Sequence, residues 1–371
     1  MHHVLRSGLF LLVLIGGEAV AAAPTHSLGI ERKQYGESIA YDMNATGQVA
    51  AVIKEKDGTP HAVFFENGKV IKLEMPGESE SEAKRINDKG EVVGASKTGS
   101  VWRAFIRNRD HHTQDLGSLG GPGSYGTAIN NAGLAVGFAD TSNGDWHAFL
   151  YNPGEALKDL GTLGGKVSYA SGINNSGQVV GTAMISDGSR HAFLYDSQTG
   201  MSDLGTLGGR YSSATAINDQ GVVVGASETK DRRWHAFMHD GKQMVDLGEK
   251  IGFGNSFATG INNEGHIVGV VDTEDIRYAF VWHNNKMTLH PSGKSLYLTN
   301  AINDTGQVIG ASYDRGLNAA TMPSNAAPFV DLGGTKILGF NLLTILLAVA
   351  IAVFRKRLKG LFFENRLFFR M

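Results

Sequence analysis

The histidines with the most regular spacing head a repeated tripeptide, His-Ala-Phe, at His147, His191 and His235, with a related copy at His61. Imidazoles grouped in this way would bind a metal ion or transfer protons near neutral pH. However, Arg103 and Tyr278 stand at the same place in two further copies, and neither side chain would complete a ring of metal ligands. We therefore interpret these histidines as structural residues that hydrogen-bond to neighbouring backbone, and we predict no metal site.

A second recurring group is the aspartate of the phrase Asp-Leu-Gly, found at Asp115, Asp159, Asp203, Asp246 and Asp331. A carboxylate present in most repeats is expected to accept hydrogen bonds at a turn or strand end. Residues 121–126 match a dinucleotide-binding pattern, but no helix follows them. The loop 140–145 lacks the terminal glutamate of a calcium loop. We predict no catalytic residues and no cofactor.

The positions that differ between copies lie just before His-Ala-Phe, and they supply the ligand-binding candidates Trp102, Trp146, Arg190, Arg233, Trp234 and Arg277. Aromatic and arginine side chains on one common rim are typical of glycan- or protein-binding surfaces. The alternative interpretation is that Trp146 and Trp234 pack between neighbouring repeats as part of a strand.

These short phrases recur with the same period as a longer one, Ile-Asn-x-x-Gly-x-Val-Val-Gly. The asparagines of the longer phrase are residues 44, 87, 130, 174, 218, 262 and 303. A spacing of 41 to 44 residues indicates a repeat architecture of seven units. The three phrases in this order resemble the HAF family of extracellular repeat proteins, over roughly residues 35–333. The resemblance implies an extracytoplasmic repeat protein and carries no established activity with it.

One repeat, residues 167–209, reads as four short strands. Small residues at 168–174 form the first, a turn ending in Gly177 leads to a β-branched second strand at 178–183, and strands at 190–195 and 201–204 follow. Four antiparallel strands in a repeat of this length describe a propeller blade. The predicted fold class is therefore all-β, a seven-bladed β-propeller of four-stranded antiparallel blades over residues 22–334, plus one C-terminal transmembrane helix.

Closure of such a ring has two candidate strands. Residues 26–30 resemble an Asp-Leu-Gly strand and would complete the last blade, alongside or instead of residues 329–332. A β-solenoid is the structural alternative, and it would need capping units at its ends.

The two ends of the chain look like targeting segments. Residues 1–21 combine Arg6, an apolar core and small residues before Ala21, which predicts a cleaved signal peptide rather than an uncleaved anchor. Residues 337–354 are apolar and uncharged, and they are long enough to cross a bilayer. The basic residues that follow, in 355–371, predict a cytoplasmic tail. A buried core helix and a sorting tail cleaved after export are the alternatives.

Composition narrows the function further. With 34 basic against 36 acidic side chains there is no basic stripe for nucleic acid, and without cysteine there is no thiol chemistry. The charged residues of the first two repeats, Glu37, Glu82, Lys84 and Arg85, look too few and unpaired to specify a reaction.

We therefore predict a monomeric, membrane-anchored, non-catalytic binding or scaffolding module at a bacterial-type cell envelope, facing the periplasm or the exterior, with a glycan or protein ligand. One alternative is a propeller-type polysaccharide lyase or hydrolase, which would need a carboxylate, histidine or tyrosine cluster that converges at the axis. The other is a purely structural surface protein.

Overall fold

The computed structural model describes residues 26–28, 36–73, 77–110, 112–291, 296–313, 317–325 and 330–331. The predicted signal peptide (1–21), transmembrane helix (337–354) and basic tail (355–371) lie outside these ranges. Within them, no helix is long and apolar enough to cross a membrane. The described chain is built of β-strands joined by turns and short loops.

The strands form seven antiparallel sheets in the described chain, one for each repeat, and we call them blades 1 to 7. A short strand, β1 (His26–Ser27), precedes them. Blade 1 contains β2 (Glu37–Met43), β3 (Val49–Lys54), β4 (Pro60–Glu66) and β5 (Lys69–Lys72). Blade 2 contains β6 (Glu80–Ile86), β7 (Val92–Thr98), β8 (Val101–Arg107) and β9 (Thr113–Asp115). Blade 3 contains β10 (Gly120–Ile129), β11 (Ala135–Thr141), β12 (Trp146–Tyr151) and β13 (Lys158–Asp159).

The other four blades follow the same order. Blade 4 contains β14 (Gly164–Ile173), β15 (Val179–Ile185), β16 (Arg190–Asp196) and β17 (Gly200–Asp203). Blade 5 contains β18 (Gly208–Ile217), β19 (Val223–Thr229), β20 (Trp234–His239) and β21 (Met244–Asp246). Blade 6 contains β22 (Asn255–Ile261), β23 (Ile267–Asp272), β24 (Arg277–His283) and β25 (Lys286–Pro291). Blade 7 contains β26 (Leu298–Ile302), β27 (Gln307–Tyr313) and β28 (Leu317–Pro323), and β29 (Val330–Asp331) is the last described strand.

The seven-bladed propeller predicted from the repeats is confirmed. Within the blades, the strands from β2 to β28 are paired in chain order, and the first strands line a central channel. Blade 4 has all four predicted strands, although its first strand begins at Gly164 rather than at Ser168. The reason is that the Gly-Gly link between repeats already pairs with the second strand, with Gly164 opposite Ile185.

The N-terminal strand closes the ring. His26 and Ser27 of β1 pair with Thr321 and Ala320 of β28, which makes β1 the outer strand of blade 7. The other candidate, β29, pairs with β25 as a fifth strand of blade 6. The last blade is therefore completed by β1 instead of β29. A closed ring excludes the solenoid, because the two end units of a solenoid do not meet.

Each blade opens with the predicted hairpin between its first and second strands. In blade 3, Oδ1 of Asn130 accepts hydrogen bonds from the amides of Ala132 and Leu134, both at 3.0 Å. Gly133 closes the turn with a φ of +87°, in the left-handed region that favours glycine. The repeat asparagine therefore holds its own turn, as its side-chain chemistry predicts.

A β-bulge lies in the first strand, three residues before that asparagine. In blade 3 it falls at Thr127, where the pairing with the second strand shifts by one residue. The bulge brings the carbonyl oxygen of Tyr125 against Gly137, so that any Cβ at residue 137 would overlap it. This close approach explains the last glycine of the repeated phrase.

The core lies between neighbouring blades. The phenylalanines of His-Ala-Phe and of its Arg and Tyr variants are fully buried there, at Phe105, Phe149, Phe193, Phe237 and Phe280. Each such side chain contributes up to about 3 kcal/mol by burial. The alanine amide beside it donates to a buried serine of the next blade, as from Ala148 to Oγ of Ser168 at 2.8 Å. The same bond joins blade 7 to blade 1, from Ala319 to Ser38 at 2.9 Å.

Candidate functional site

The first strands present small side chains to the channel in five of the described blades. Two residues before the repeat asparagine these are Ala128, Gly172, Ala216, Gly260 and Ala301. Blades 1 and 2 place Asp42 and Arg85 at this position. The bulge residue next to it is Thr, Ser or Asn in those five blades, but Tyr41 and Lys84 in blades 1 and 2. The two neighbouring blades that break the repeat therefore mark one side of the axis as the candidate site.

Four side chains from blades 1, 2 and 3 meet on this side, and we call them the axial cluster: Tyr41, Glu82, Lys84 and Tyr125. Nζ of Lys84 lies 2.7 Å from Oε2 of Glu82, and the Tyr125 hydroxyl donates to the same oxygen. The ammonium also lies 4.2 Å from the ring centroid of Tyr41 and 5.6 Å from that of Tyr125. The expectation that Glu82 and Lys84 are unpaired is therefore wrong. The two residues pair with each other on the first strand of blade 2, and their tyrosine contacts come from blades 1 and 3, which the spacing within one repeat does not reveal.

Glu37 and Arg85, the other two residues expected to be unpaired, also have partners. Glu37 lies 3.2 Å from Nζ of Lys54 in an ion pair. Nη1 of Arg85 donates to the backbone carbonyl of Tyr41 at 3.0 Å. Oδ2 of Asp42 accepts the amide of Ile86 at 3.0 Å. Each of these charged side chains therefore has an oppositely charged side chain or a hydrogen bond as its partner.

The protonation states of the axial cluster follow from burial and from its charges. Burial raises the pKa of Glu82, but the Lys84 ammonium and the Tyr125 hydroxyl outweigh it and bring this pKa below its usual range. Burial, together with the hydrogen bond to Glu82, raises the pKa of the Tyr125 hydroxyl far above its usual value. Burial also raises the pKa of Asp42, against the opposing charge of Arg85. At neutral pH the cluster therefore contains an ionised Glu82 and a neutral Tyr125.

Five aromatic rings in contact adjoin the axial cluster, and we call them the aromatic strip: Trp102, Tyr125, Phe138, Trp146 and Tyr169. The ring centroids of Trp102 and Tyr125 are 5.7 Å apart, and Tyr125 stacks on Phe138 at 5.4 Å. Phe138 meets Trp146 edge-on at 5.3 Å and Tyr169 at 5.1 Å. All five residues are half-buried. The strip joins blades 2, 3 and 4 into one apolar surface that remains partly open to solvent.

Five of the six predicted rim residues occupy one repeat position, and the sixth, Arg233, comes directly before it. That position is the first residue of the third strand in blades 3 to 6, at Trp146, Arg190, Trp234 and Arg277, and the second residue in blade 2, at Trp102. First and third strands run in the same direction, so all six residues lie at the end of the propeller where the first strands begin. The rim placement therefore agrees with the strand geometry.

The structure does not gather these six residues into one group. Only Trp102 and Trp146 belong to the aromatic strip. Trp234 stacks on Phe257 of the next blade with centroids 6.2 Å apart. Arg277 pairs with Asp272 at 2.5 Å, and its guanidinium lies 4.7 Å from the ring centroid of Tyr297. Arg233 pairs with Asp231 at 2.6 Å, and Arg190 is exposed. Packing between blades, the alternative for Trp234, thus accounts for one face of its ring.

The histidines of His-Ala-Phe bind carboxylates rather than backbone, which corrects the prediction. Nδ1 of His147 lies 2.8 Å from Oδ2 of Asp159, the aspartate of the same repeat. That aspartate also accepts the amide of Gly161 at 2.8 Å, as expected for a turn residue. The same pair forms between His191 and Asp203 and between His235 and Asp246. In blade 2, Arg103 reaches Asp115 at 3.1 Å, so a guanidinium fills the role of the imidazole.

The opposite end of the channel is a ring of asparagines. The amide of Asn44 donates to the carbonyl of Asn87 at 3.1 Å, and Asn87 donates to Asn130 at 3.0 Å. Six such bonds run from Asn44 to Asn303 in the described chain. They surround a polar cavity of about 210 Å³. Because its side-chain amides donate to backbone carbonyls of the neighbouring blades, we interpret this ring as structural: it holds the blades together. Among the described ranges, no three His, Asp or Glu side chains converge as metal ligands.

Sequence reasoning missed Tyr41, Tyr125, Phe138 and Tyr169. A signal for two of them was present, because Tyr41 stands where most repeats have Thr or Ser, and Tyr125 stands where blade 5 has Ser213. Their convergence depends on contacts across blade boundaries. Those contacts follow only from the three-dimensional arrangement.

Comparison with known proteins agrees with the fold. The chain is similar to the β-propeller domain of the Trilobed protease from Pyrococcus furiosus, with 11% identity, a TM-score of 0.53, and 82% of this chain matched to 99% of that one. It is also similar to a puromycin-hydrolyzing peptidase from Mycobacterium tuberculosis, with 12% identity, a TM-score of 0.51, and 86% of this chain matched to 56% of that one.

A third similarity is to TolB from Acinetobacter baumannii, with 14% identity and a TM-score of 0.42. The match covers 60% of this chain and about half, 53%, of TolB. No protein-family model and no curated protein matches the chain. At these identities the likeness shows the propeller fold alone, and function has to be argued from the site.

Proposed function

We propose that the propeller is a non-catalytic binding module whose ligand lies on the aromatic strip. The observation that carries the proposal is the continuity of five half-buried rings with an ion-paired cluster at the axis. Rings of this kind stack on the apolar face of a sugar or anchor a protein side chain.

The chemistry of the axial cluster supports binding over catalysis. A general acid or base works best when its pKa lies near the operating pH. The pKa of Glu82 is instead below its usual range, and that of Tyr125 is far above its own. Both groups therefore hold one protonation state throughout the neutral range, which suits fixed hydrogen bonds to a ligand.

An enzyme of the lyase or hydrolase type is the second candidate. It requires acids, bases or tyrosines that converge at the axis, and the contact of Glu82, Lys84 and Tyr125 meets that requirement. The perturbed pKa values also place these groups among the sites where function concentrates. The two candidates differ in outcome, because an enzyme shortens the glycan that a binding module leaves intact.

The cellular setting belongs to the same proposal. The N-terminal signal and the apolar segment at 337–354, followed by Arg355, Lys356 and Arg357, support export with a single membrane anchor and an outward-facing propeller. In that setting the ligand is an envelope or extracellular molecule. A purely structural surface protein would have the same anchor, but it would bind nothing through the aromatic strip.

A glycan array probed with the detergent-solubilised full-length protein tests this function. Trp146→Ala removes one ring of the strip and is expected to weaken binding about tenfold or more. Trp234→Ala is the matched control, because it removes the same residue type at the same repeat position, outside the strip. Equal binding by both variants would contradict the proposed surface. Shortened products from a bound glycan would establish the enzyme instead.

A further inference from the structure

We infer that the axial cluster is a subsite for one uncharged sugar residue at the end of a glycan chain, with the next residues lying along the aromatic strip. This inference rests on the proposed function and adds the class of ligand and its orientation.

The charges around the cluster balance one another. Glu82 is paired with Lys84, and Asp42 lies beside Arg85 in the channel. At the start of the first strands of blades 1 and 2, Glu37 pairs with Lys54 and Glu80 with Lys97. A carboxylated or phosphorylated sugar would bring a net charge into a region where each cation already has an anion. Desolvating that charge without a partner is costly, so the site favours a neutral ligand.

The cluster still has hydrogen-bonding capacity for such a ligand. Lys84 and Tyr125 both bind Oε2 of Glu82, and Oε1 is a second acceptor of the same carboxylate. The Lys84 ammonium has three N–H donors, of which the carboxylate takes one. An ionised acceptor next to a donor matches two adjacent sugar hydroxyls, one donating to Glu82 and the other accepting from Lys84. Hydrogen bonds to charged groups are the stronger ones.

The aromatic strip gives the ligand its direction. Tyr125 belongs both to the axial cluster, through its hydroxyl, and to the strip, through its ring. Further rings follow in steps of 5.1 to 5.4 Å, from Tyr125 to Phe138 and from Phe138 to Trp146 and Tyr169. The channel beside the cluster is lined by the first strands of the other blades. Trp146 lies on the third strand of blade 3, farther from the axis than Tyr125 on the first, so we place the end of the chain at Glu82 and Lys84.

Titration calorimetry on the full-length protein tests the inference with two sets of probes. Neutral hexasaccharides of glucose, xylose or mannose form one set, and a hexamer of galacturonate forms the other. We expect at least one neutral chain to bind and the uronate to bind at least about tenfold more weakly. Tighter binding of the uronate would overturn the inference while leaving the proposed function intact.

Variants of the cluster provide the second arm. Glu82→Gln keeps the shape of the side chain, and Lys84→Met keeps its length without the charge; each is expected to weaken binding of the neutral chain about tenfold or more. The matched control is Lys72→Met, which breaks the 2.6 Å pair with Glu55 on the outer strand of blade 1. Its affinity should equal that of the unmodified protein.

The two proposals fail in different ways. Loss of binding in Trp146→Ala, with unchanged binding in Glu82→Gln and Lys84→Met, would overturn the axial subsite and keep the binding module. Unchanged binding in all three would overturn both. If Lys84→Met does not fold, Tyr125→Phe serves in its place, because it removes only the hydroxyl and retains the ring of the strip. Binding by Tyr125→Phe that equals the unmodified protein, together with unchanged binding in Glu82→Gln, would then reject the subsite.

Discussion

At the scale of single residues, the exceptions to the repeat are more informative than its regular positions. His290 in β25 stands where other blades have a leucine whose amide donates to the third strand, at Leu73, Leu116, Leu160, Leu204 and Leu247. It is buried to 1% exposure, and its Nε2 has no hydrogen-bond partner among the described residues. Burial lowers the pKa of this imidazole below 6.5. The protein therefore carries a neutral, unsatisfied histidine in the core of blade 6.

Replacing this histidine should make the protein more stable and less sensitive to acid. Because the pKa of His290 is lower in the folded protein, the unfolded chain binds the proton more tightly. The free energy of unfolding is therefore highest above pH 6.5 and decreases as the pH falls toward the pKa of the folded state. His290→Leu should raise the free energy of unfolding by about 1–3 kcal/mol at pH 7 and reduce its fall between pH 7 and 5. Urea unfolding at both pH values measures this. An unchanged pH dependence would show that other groups cause it.

The pairing of His and Asp illustrates where residue-level prediction stops. The sequence identifies both residues as structural, because each recurs at one place in several repeats. It does not show that they bind each other, because they lie on adjacent strands whose register is known only from the structure. The one indication in the sequence is that Arg103 replaces the histidine in blade 2, because a guanidinium also binds a carboxylate.

At the scale of elements, the first hairpin of each blade does more than turn the chain. Asn174 accepts the amide of Gln178 at 2.9 Å, and its own amide donates to the Gln178 side chain and to Asn218 of the next blade. The hairpin thus sets both its local geometry and its distance from the neighbouring blade. One side chain can form all three bonds because Oδ1 accepts the Gln178 amide while Nδ2 has two hydrogens to donate, one to Gln178 and one to Asn218.

Loss of this side chain should therefore cost more than loss of its neighbour. Asn174→Ala removes one buried acceptor and one buried donor, and it is expected to lower the free energy of unfolding by about 2–4 kcal/mol. Asn175→Ala is the control, because Asn175 is exposed and its bonds to Asp219 lie at the surface; about 1 kcal/mol or less is expected there. Chemical denaturation of both variants provides the comparison. Equal losses would mean that the buried bond between blades contributes little.

Elements of this protein are more predictable than its site. Strand number, turn position and blade count follow from local patterns, such as the Gly177 turn and the β-branched residues after it, because those patterns act within a few residues. The axial cluster forms between residues 43 positions apart, as in the bond of Tyr125 to Glu82. The sequence therefore predicted the rim position of Trp102 and Trp146 and missed the rings that join them.

At the scale of the whole molecule, the closure of the ring depends on a strand of two residues. β1 is the outermost strand of blade 7, and the amide of Leu28 extends its pairing by donating to the carbonyl of Ala319 at 3.2 Å. Leu28 also packs against the core between blades 1 and 7. The first described residues of the chain thus hold its last blade in place.

Weakening β1 should loosen blade 7 before the other blades. Leu28→Pro removes the donating amide and the packed side chain, and about 2 kcal/mol or more of stability should be lost. Hydrogen exchange should then become faster in β28 while β16 of blade 4 keeps its protection. Ser27→Ala, which retains the backbone bonds, serves as the control. Uniform loss of protection in all blades would instead show that the ring opens as one cooperative unit.

The ring of asparagines bears on how such a chain gains and loses copies of its repeat. Asn130, Asn174 and Asn218 form the same contacts with the blades that follow them. This bond can therefore form between any two blades that carry the asparagine. An in-frame duplication or deletion of one repeat would create a junction in which the same bond is available. Blades 1 to 3 contrast with the others, because Tyr41, Glu82, Lys84 and Tyr125 of the axial cluster come from them and would be lost with any of these copies.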